Sequence, residues 1–379
     1  MGIGFGSLLL LCLSHSVLRV TADAISGCNL YTGNWVVDQS YPLYDSNSCP
    51  FIRPEFDCIK YGRTDKLYLK YKWKPSGCEV ARFDGVDLLK KWSGKKVMFV
   101  GDSLSLDQYE SLLCMINAAV PNARTSSTRT DVLTIVRFED YNVSLMYYLS
   151  HYLVDIVSAP MGRILKLNSM QAGHTWLNAD VLIFNTWHWW PRTGSAQPWD
   201  YIQDGQQFFK DMDRTAAFTK GLQTWAKWVD SSVPLTTKLY YQGVSPIHYH
   251  GQDWGASTTR TCIGETQPVN TSSYPAGPVP QEAIVKNILS SISKPIYLLD
   301  VTFLSQLRKD GHPSKYSGAK FDNDCTHWCL AGVPDTWNQL LYASMLQGSS
   351  SGGSEIANPV IPITITMLIF AMLVLVGDC

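Results

Sequence analysis

The sequence predicts an α/β fold with a mostly parallel sheet. Four short apolar runs, at 97–100, 181–184, 239–241 and 296–299, read as strands buried on both faces. Each ends on a polar or turn-forming residue and is followed by helix-like text, such as 208–229 with its Trp225 and Trp228. Strands alternating with helices point to a parallel sheet covered on both sides. With 379 residues, 45% of them apolar and 17% charged, the chain can bury a full core.

Taken in order, residues 1–24 read as a cleavable secretory signal. An apolar stretch at 8–13 is followed by the small-residue endings Val-Thr-Ala (20–22) and Ala-Asp-Ala (22–24), although no Lys or Arg precedes the apolar stretch. Residues 25–347 contain no repeat or low-complexity block and read as one continuous domain with a cysteine-dense front, 28–78. A linker follows at 348–362, beginning GSSSGGSE, and then a hydrophobic tail at 363–379. The unbroken apolar run 363–376 is short for a spanning helix, which needs about 20 residues. It fits equally a lipid-anchor signal whose tail is removed. Both readings attach the chain to a membrane and leave its bulk on the lumenal or outer face.

Cysteine usage agrees with that compartment. Setting aside Cys12 and Cys379, eight remain: Cys28, Cys49, Cys58, Cys78, Cys114, Cys262, Cys325 and Cys329. An even number in an oxidising compartment reads as four disulfides, whose pairing the spacing does not choose. Cys325 and Cys329 have no second pair at zinc-finger spacing, so no metal is expected. The sequons at Asn142 and Asn270 mark candidate glycosylation sites on a secreted surface. A formal charge of −1 provides no field for neutralising phosphates, which argues against nucleic acid as a partner. Thirteen Trp and nineteen Tyr suit a saccharide ligand, though most such residues serve packing. Nothing sets the number of subunits.

Ligands of open parallel sheets bind beyond the carboxyl ends of the strands. Residues 101–103, 185–190, 243–246 and 300–302 would lie there. After 97–100, Gly101 permits a tight turn and Ser103 opens a helix, where unpaired N–H groups gather and favour a developing oxyanion. The same placement serves a nucleophile, whereas the plainer reading has Asp102 or Ser103 capping the helix. A nucleophilic serine needs a base, and the base an orienting partner. His327, with Asp324 three residues before it in DCTHWC, fits that requirement; His312 in DGHPS and His188 in NTWHWW are rivals.

These pieces together are similar to a known family. CNLYTGNWVVDQSYPLYDSNSCPFI (28–52), PEFDC (54–58), KYKWKPSGC (70–78), MFVGDSLS (98–105), FNTWHWW (184–190), KDMDR (210–214) and DCTHWCLAGVPDTWN (324–338) resemble the plant trichome birefringence-like proteins. These are the PC-esterase group of cell-wall polysaccharide O-acetyltransferases. The resemblance covers nearly all of 28–346. It implies that 25–347 is a PC-esterase catalytic domain, a disulfide-stapled three-layer sandwich related to SGNH/GDSL esterases. It implies a triad of Ser103, His327 and Asp324, with Asp102 and Gly101 supporting the serine and Asn185 at the oxyanion hole. It also implies the disulfides Cys28–Cys78, Cys49–Cys114, Cys58–Cys329 and Cys262–Cys325.

By the same resemblance, the chain moves an acetyl group through an acyl-serine onto hydroxyls of xylan or pectin, with a wall acetylesterase as the alternative. No cofactor is held; acetyl-CoA or a derivative is the acetyl donor. The expected place is the Golgi lumen or membrane, with the cell surface or apoplast as the alternative. Trp187, His188, Trp189 and Trp190, with Trp199 nearby, are the candidate acceptor platform. The sequence departs from the family at Asp107, where many members have Asn, and at Ala331, where Pro is usual. Most members also carry an uncleaved N-terminal anchor rather than a C-terminal tail.

Overall fold

The computed structural model describes residues 28–318 and 321–350. The expected signal at 1–24, the tail at 363–379 and all of the linker beyond 350 lie outside the described residues.

The described residues begin with an antiparallel pair of strands, β1 (Gly33–Val37) and β2 (Tyr71–Pro75). The chain then enters the main sheet at β3 (Lys96–Gly101) and adds β4 (Thr125–Arg129), β5 (Leu133–Phe138) and β6 (Val143–Leu149). After β7 (Asp155–Ala159) and β8 (Gly162–Lys166) come β9 (Val181–Phe184), β10 (Tyr201–Asp204), β11 (Gln207–Phe209), β12 (Lys238–Gln242) and β13 (Tyr297–Leu299). The main sheet has the order β13-β12-β9-β3-β6-β5-β4. Its first five strands are parallel, and β5 and β4 continue it antiparallel. A second, four-stranded sheet has the order β11-β10-β8-β7.

The four apolar runs are therefore strands β3, β9, β12 and β13, as expected, but the sheet is mixed rather than simply mostly parallel. The added strands carry no continuous apolar signal. All five residues of β4, TSSTR, are exposed, so the edge is polar along its whole length. The helix expected at 208–229 begins instead at Arg214 and runs to Ser232. Asp213 caps it by accepting the Ala216 N–H, and Phe208 lies in β11.

Alternation along β3 sorts the core into two layers. Val97 and Phe99 face one side, against helices Ser103–Ala119 and Val333–Ser350 through Leu112, Ile116 and Leu340. Met98 and Val100 face the other, against helices Arg214–Ser232 and Pro280–Ser290 through Trp225, Val229 and Ile288. Helices on both faces make the three-layer sandwich. Each such fully buried aliphatic side chain contributes about 1.5–3 kcal/mol.

All four implied disulfides are formed: Cys28–Cys78, Cys49–Cys114, Cys58–Cys329 and Cys262–Cys325. Two of them tie the front section to the body, and the Trp35 indole N–H donates to the Leu304 carbonyl at 2.8 Å. Cys325 and Cys329 each pair with a different distant cysteine, which removes both thiols from metal binding. Among the described residues no helix is long and apolar enough to cross a membrane.

Candidate active site

Strand β3 delivers its last residue, Gly101, into a space with no room for a side chain. A Cβ there would lie 2.3 Å from Ser105 Oγ and 2.5 Å from the Asn185 carbonyl oxygen. The chain turns at Asp102, which has extended dihedrals, and helix Ser103–Ala119 begins. Asp102 is the cap: its Oδ1 accepts the Leu104 N–H at 3.0 Å. Capping therefore makes no demand on the Ser103 hydroxyl. Asp102 Oδ2 also accepts the N–H groups of Trp187 at 3.4 Å and His188 at 3.3 Å, tying the loop after β9 to the serine turn. Burial pushes the Asp102 carboxyl up, but contact with His188 and the Leu104 N–H outweigh it, and the group lies below the usual carboxylate range.

Ser103 Oγ lies 2.7 Å from His327 Nε2, and His327 Nδ1 lies 2.7 Å from Asp324 Oδ2. Asp324 Oδ1 accepts the N–H groups of Thr326 and His327, each at 3.0 Å, so one carboxylate fixes both the backbone and the ring of the base. Burial would raise the Asp324 pKa, yet the His327 contacts and the two backbone N–H groups bring it down to about 2. The imidazole lies between Phe56, at a ring distance of 5.5 Å, and Phe321, at 6.1 Å.

His327, and neither rival histidine, makes the hydrogen bond to Ser103. His312 is buried, its Nδ1 2.6 Å from the His327 carbonyl oxygen. His188 Nδ1 approaches Asp102 Oδ2 at 3.8 Å, and among the described residues neither of its ring nitrogens has a hydrogen-bond partner. Asn185 is buried next to Gly101, and its Oδ1 has no hydrogen-bond partner among the described residues.

Two cavities meet at the serine. The larger, about 610 Å³, runs from Ser103 and His327 past Trp187, His188 and Trp189 to Ile247, Tyr249 and Tyr274. The smaller, about 180 Å³, joins the same two residues to Arg53, Phe56, Arg129 and His151. The loops after β3, β9 and β12 supply the floor of the site, as the sheet topology requires. Residues 300–302, directly after β13, line neither cavity, and Asp300 pairs with Lys286 at 2.9 Å.

The aromatic platform needs correction. Trp187, His188 and Trp189 line the larger cavity, whereas Trp190 is fully buried. Trp190 packs edge-on against Tyr152 and Phe218, and its indole N–H donates to Thr186 Oγ1 at 2.9 Å. Trp199 is likewise buried, against Tyr152. Trp189 carries His151 stacked at 3.7 Å and the Arg192 guanidinium at 3.5 Å, so its ring faces are already occupied.

Sequence reasoning missed Arg53 and Phe56, which come from the cysteine-dense front, and His151. It also missed that Asp107, one turn into the helix, accepts the Trp328 N–H at 3.1 Å and so holds the residue next to the base. Burial pushes the Asp107 carboxyl well above its usual range. Asn142 and Asn270 are both exposed.

A serine hydroxyl aligned with an imidazole and an ionised carboxylate can carry out acyl transfer. Comparison with known proteins agrees. Residues 80–344 match the model of the PC-Esterase family, described as a GDSL/SGNH-like acyl-esterase family found in Pmr5 and Cas1p, and residues 26–79 match the PMR5 N terminal domain. The chain is 53% identical to trichome birefringence-like protein 38 of Arabidopsis thaliana over 322 residues, 84% of each chain. It is 50% identical to protein 39 of the same plant over 86% of this chain and 89% of that one. Protein 4 is 35% identical over 86% of this chain and 77% of that one.

Proposed function

Because the chain belongs to the trichome birefringence-like family and carries the PC-esterase domain, we propose that it is a polysaccharide O-acetyltransferase with Ser103 as nucleophile. The observation that supports this most is the hydrogen-bonded line Ser103–His327–Asp324 at the junction of two cavities.

The reaction is a double displacement. His327 Nε2 takes the Ser103 proton as Oγ attacks the acetyl carbonyl of the donor, acetyl-CoA or a derivative, and returns it to the leaving thiol. Asp324 holds Nδ1–H toward itself, leaving Nε2 as the acceptor, and offsets the imidazolium that forms. N–H groups at the start of helix Ser103–Ala119 and the Asn185 amide stabilise the oxyanion. A sugar hydroxyl then takes the acetyl group from Ser103, giving its proton to His327 Nε2, which returns it to the leaving Ser103 Oγ. The larger cavity, walled by Trp187 and Tyr249, is the acceptor site, and the acceptor is a wall polysaccharide such as xylan or pectin. Four disulfides belong to an oxidising compartment, and the reaction is assigned to the secretory lumen, with the Golgi as its place.

The family description as acyl-esterases favours one second reading, hydrolysis of the acyl-serine by water. Purified protein incubated with acetyl-CoA and unacetylated xylan or pectin oligosaccharides, and separately with acetylated ones, distinguishes them. Transferred acetyl on the oligosaccharide is the expected result. Release of acetate with no transfer assigns the esterase instead.

A further inference from the structure

Behind the base lie two histidines that the proposed chemistry does not use. His248 and His312 are buried and line neither cavity. Three close polar contacts connect them in a row: His248 Nε2 to the Gln306 carbonyl oxygen at 2.9 Å, His248 Nδ1 to His312 Nε2 at 2.6 Å, and His312 Nδ1 to the His327 carbonyl oxygen at 2.6 Å. Carbonyl oxygens only accept, so both outer contacts require an N–H on the ring. Two neutral imidazoles carry one proton each, and the outer contacts use both. The inner contact would then bring two lone pairs together at 2.6 Å. Four ring nitrogens making three hydrogen bonds need three protons.

We propose that His248 and His312 share one proton beyond those of a neutral pair, and that this imidazolium–imidazole bridge is a positioning element for the segment carrying His327. This rests on the reading of His327 as the base.

The surroundings suit a buried cation. The Trp328 ring stacks on His312 with centroids 4.1 Å apart, and Trp254 and Tyr274 meet His248 edge-on at 5.5 and 6.4 Å. A cation is favoured over the face of an aromatic ring, and Trp328 presents its face to His312. Trp328 is itself fixed, its indole N–H donating to Ser245 Oγ at 2.9 Å and its backbone N–H to Asp107. Among charged neighbours, Asp310 and Glu265 favour charge on His248 and Lys309 opposes it; Asp324 favours charge on His312 and His327 opposes it. Arg63 donates to the His312 carbonyl at 3.0 Å. Burial holds both rings below the usual imidazole range and His248 opposes charge on His312, while the two outer carbonyl contacts pull the other way; the proton count of the row is what calls for the added proton. Loss of the shared proton as pH rises leaves two protons for three contacts, so one must open, and the contact to the His327 carbonyl is the least buried of the row. The bridge therefore gives turnover an alkaline limb.

The test uses the full chain with 15N-labelled histidine and 4-nitrophenyl acetate as the turnover probe. At neutral pH, one ring of the pair shows both nitrogens protonated, with a strongly deshielded bridging proton. His248→Ala lowers kcat at least tenfold with KM unchanged. His248→Asn places an amide N–H where Nδ1 stood, donates to His312 Nε2 without a charge, recovers most of that kcat and has no alkaline limb. Two neutral rings in the wild-type spectrum, or an alkaline limb unchanged in His248→Asn, overturns the bridge. Should Ser103→Ala retain wild-type turnover, the nucleophile assignment fails, and the spectrum still decides the bridge by itself.

Discussion

Replacing Asp324 by Asn probes the orienting carboxylate with the least change of shape. The amide oxygen can keep the two N–H bonds of Thr326 and His327, which places the amide nitrogen against His327 Nδ1. Nδ1 must then accept, so the ring proton moves to Nε2 and Ser103 loses its base. A carboxylate-to-amide change that reverses the tautomer in this way costs on the order of 10⁴ in kcat. Stability falls as well. The Asp324 pKa is lowered from 3.8 to about 2, and at ~1.36 kcal/mol per pKa unit this corresponds to roughly 2–3 kcal/mol. A carboxyl lowered in the folded state contributes stability that is complete above the unfolded value and lost as pH falls through the folded one. The wild type should therefore exceed the variant at pH 7, and the difference should close between about pH 4 and pH 2. Turnover of 4-nitrophenyl acetate and urea unfolding at several pH values measure the two effects. Turnover within tenfold of wild type, or a stability gap that persists below pH 2, refutes the reasoning.

Other substitutions separate roles that the sequence runs together. Gly101→Ala should abolish turnover and cost at least ~1–3 kcal/mol in unfolding, because the added methyl meets backbone at 2.5 Å. Trp190→Ala should cost ~3–5 kcal/mol in unfolding free energy as a core deletion, while Trp187→Ala should raise KM for oligosaccharide with a smaller loss. Burial raises the Asp107 carboxyl well above its usual range, so wild-type stability falls as pH rises above the unfolded carboxyl value near 3.8. Asp107→Asn should remove that fall, be at least as stable at pH 7, and keep the Trp328 N–H bond; urea unfolding from pH 4 to pH 8 checks it.

The parts of the fold legible in the sequence were those with a strong local signature. Strands β3, β9, β12 and β13 are apolar runs because both faces of the sheet are covered, and burial leaves no freedom of residue type there. Strand β4 was invisible because an edge strand of TSSTR satisfies the ladder without an apolar side chain. At the site, Asp324 and His327 are three residues apart and their relation is local, so spacing alone suggested it. Ser103 is 224 residues from His327, and only a resemblance spanning both segments joined them. The aromatic run 187–190 misled because three consecutive residues reach the cavity while Trp190 turns into the core, and nothing in NTWHWW tells which tryptophan turns inward. The histidine row was illegible because His248 and His312 are 64 residues apart, and a proton count requires distances.

Mass spectrometry of the protein after brief exposure to an acetyl donor alone tests the assignment of Ser103 most directly. The expected result is one added acetyl group on the peptide containing Ser103, absent in His327→Ala. An acetyl group on another residue, or equal labelling of Ser103 in His327→Ala, contradicts it.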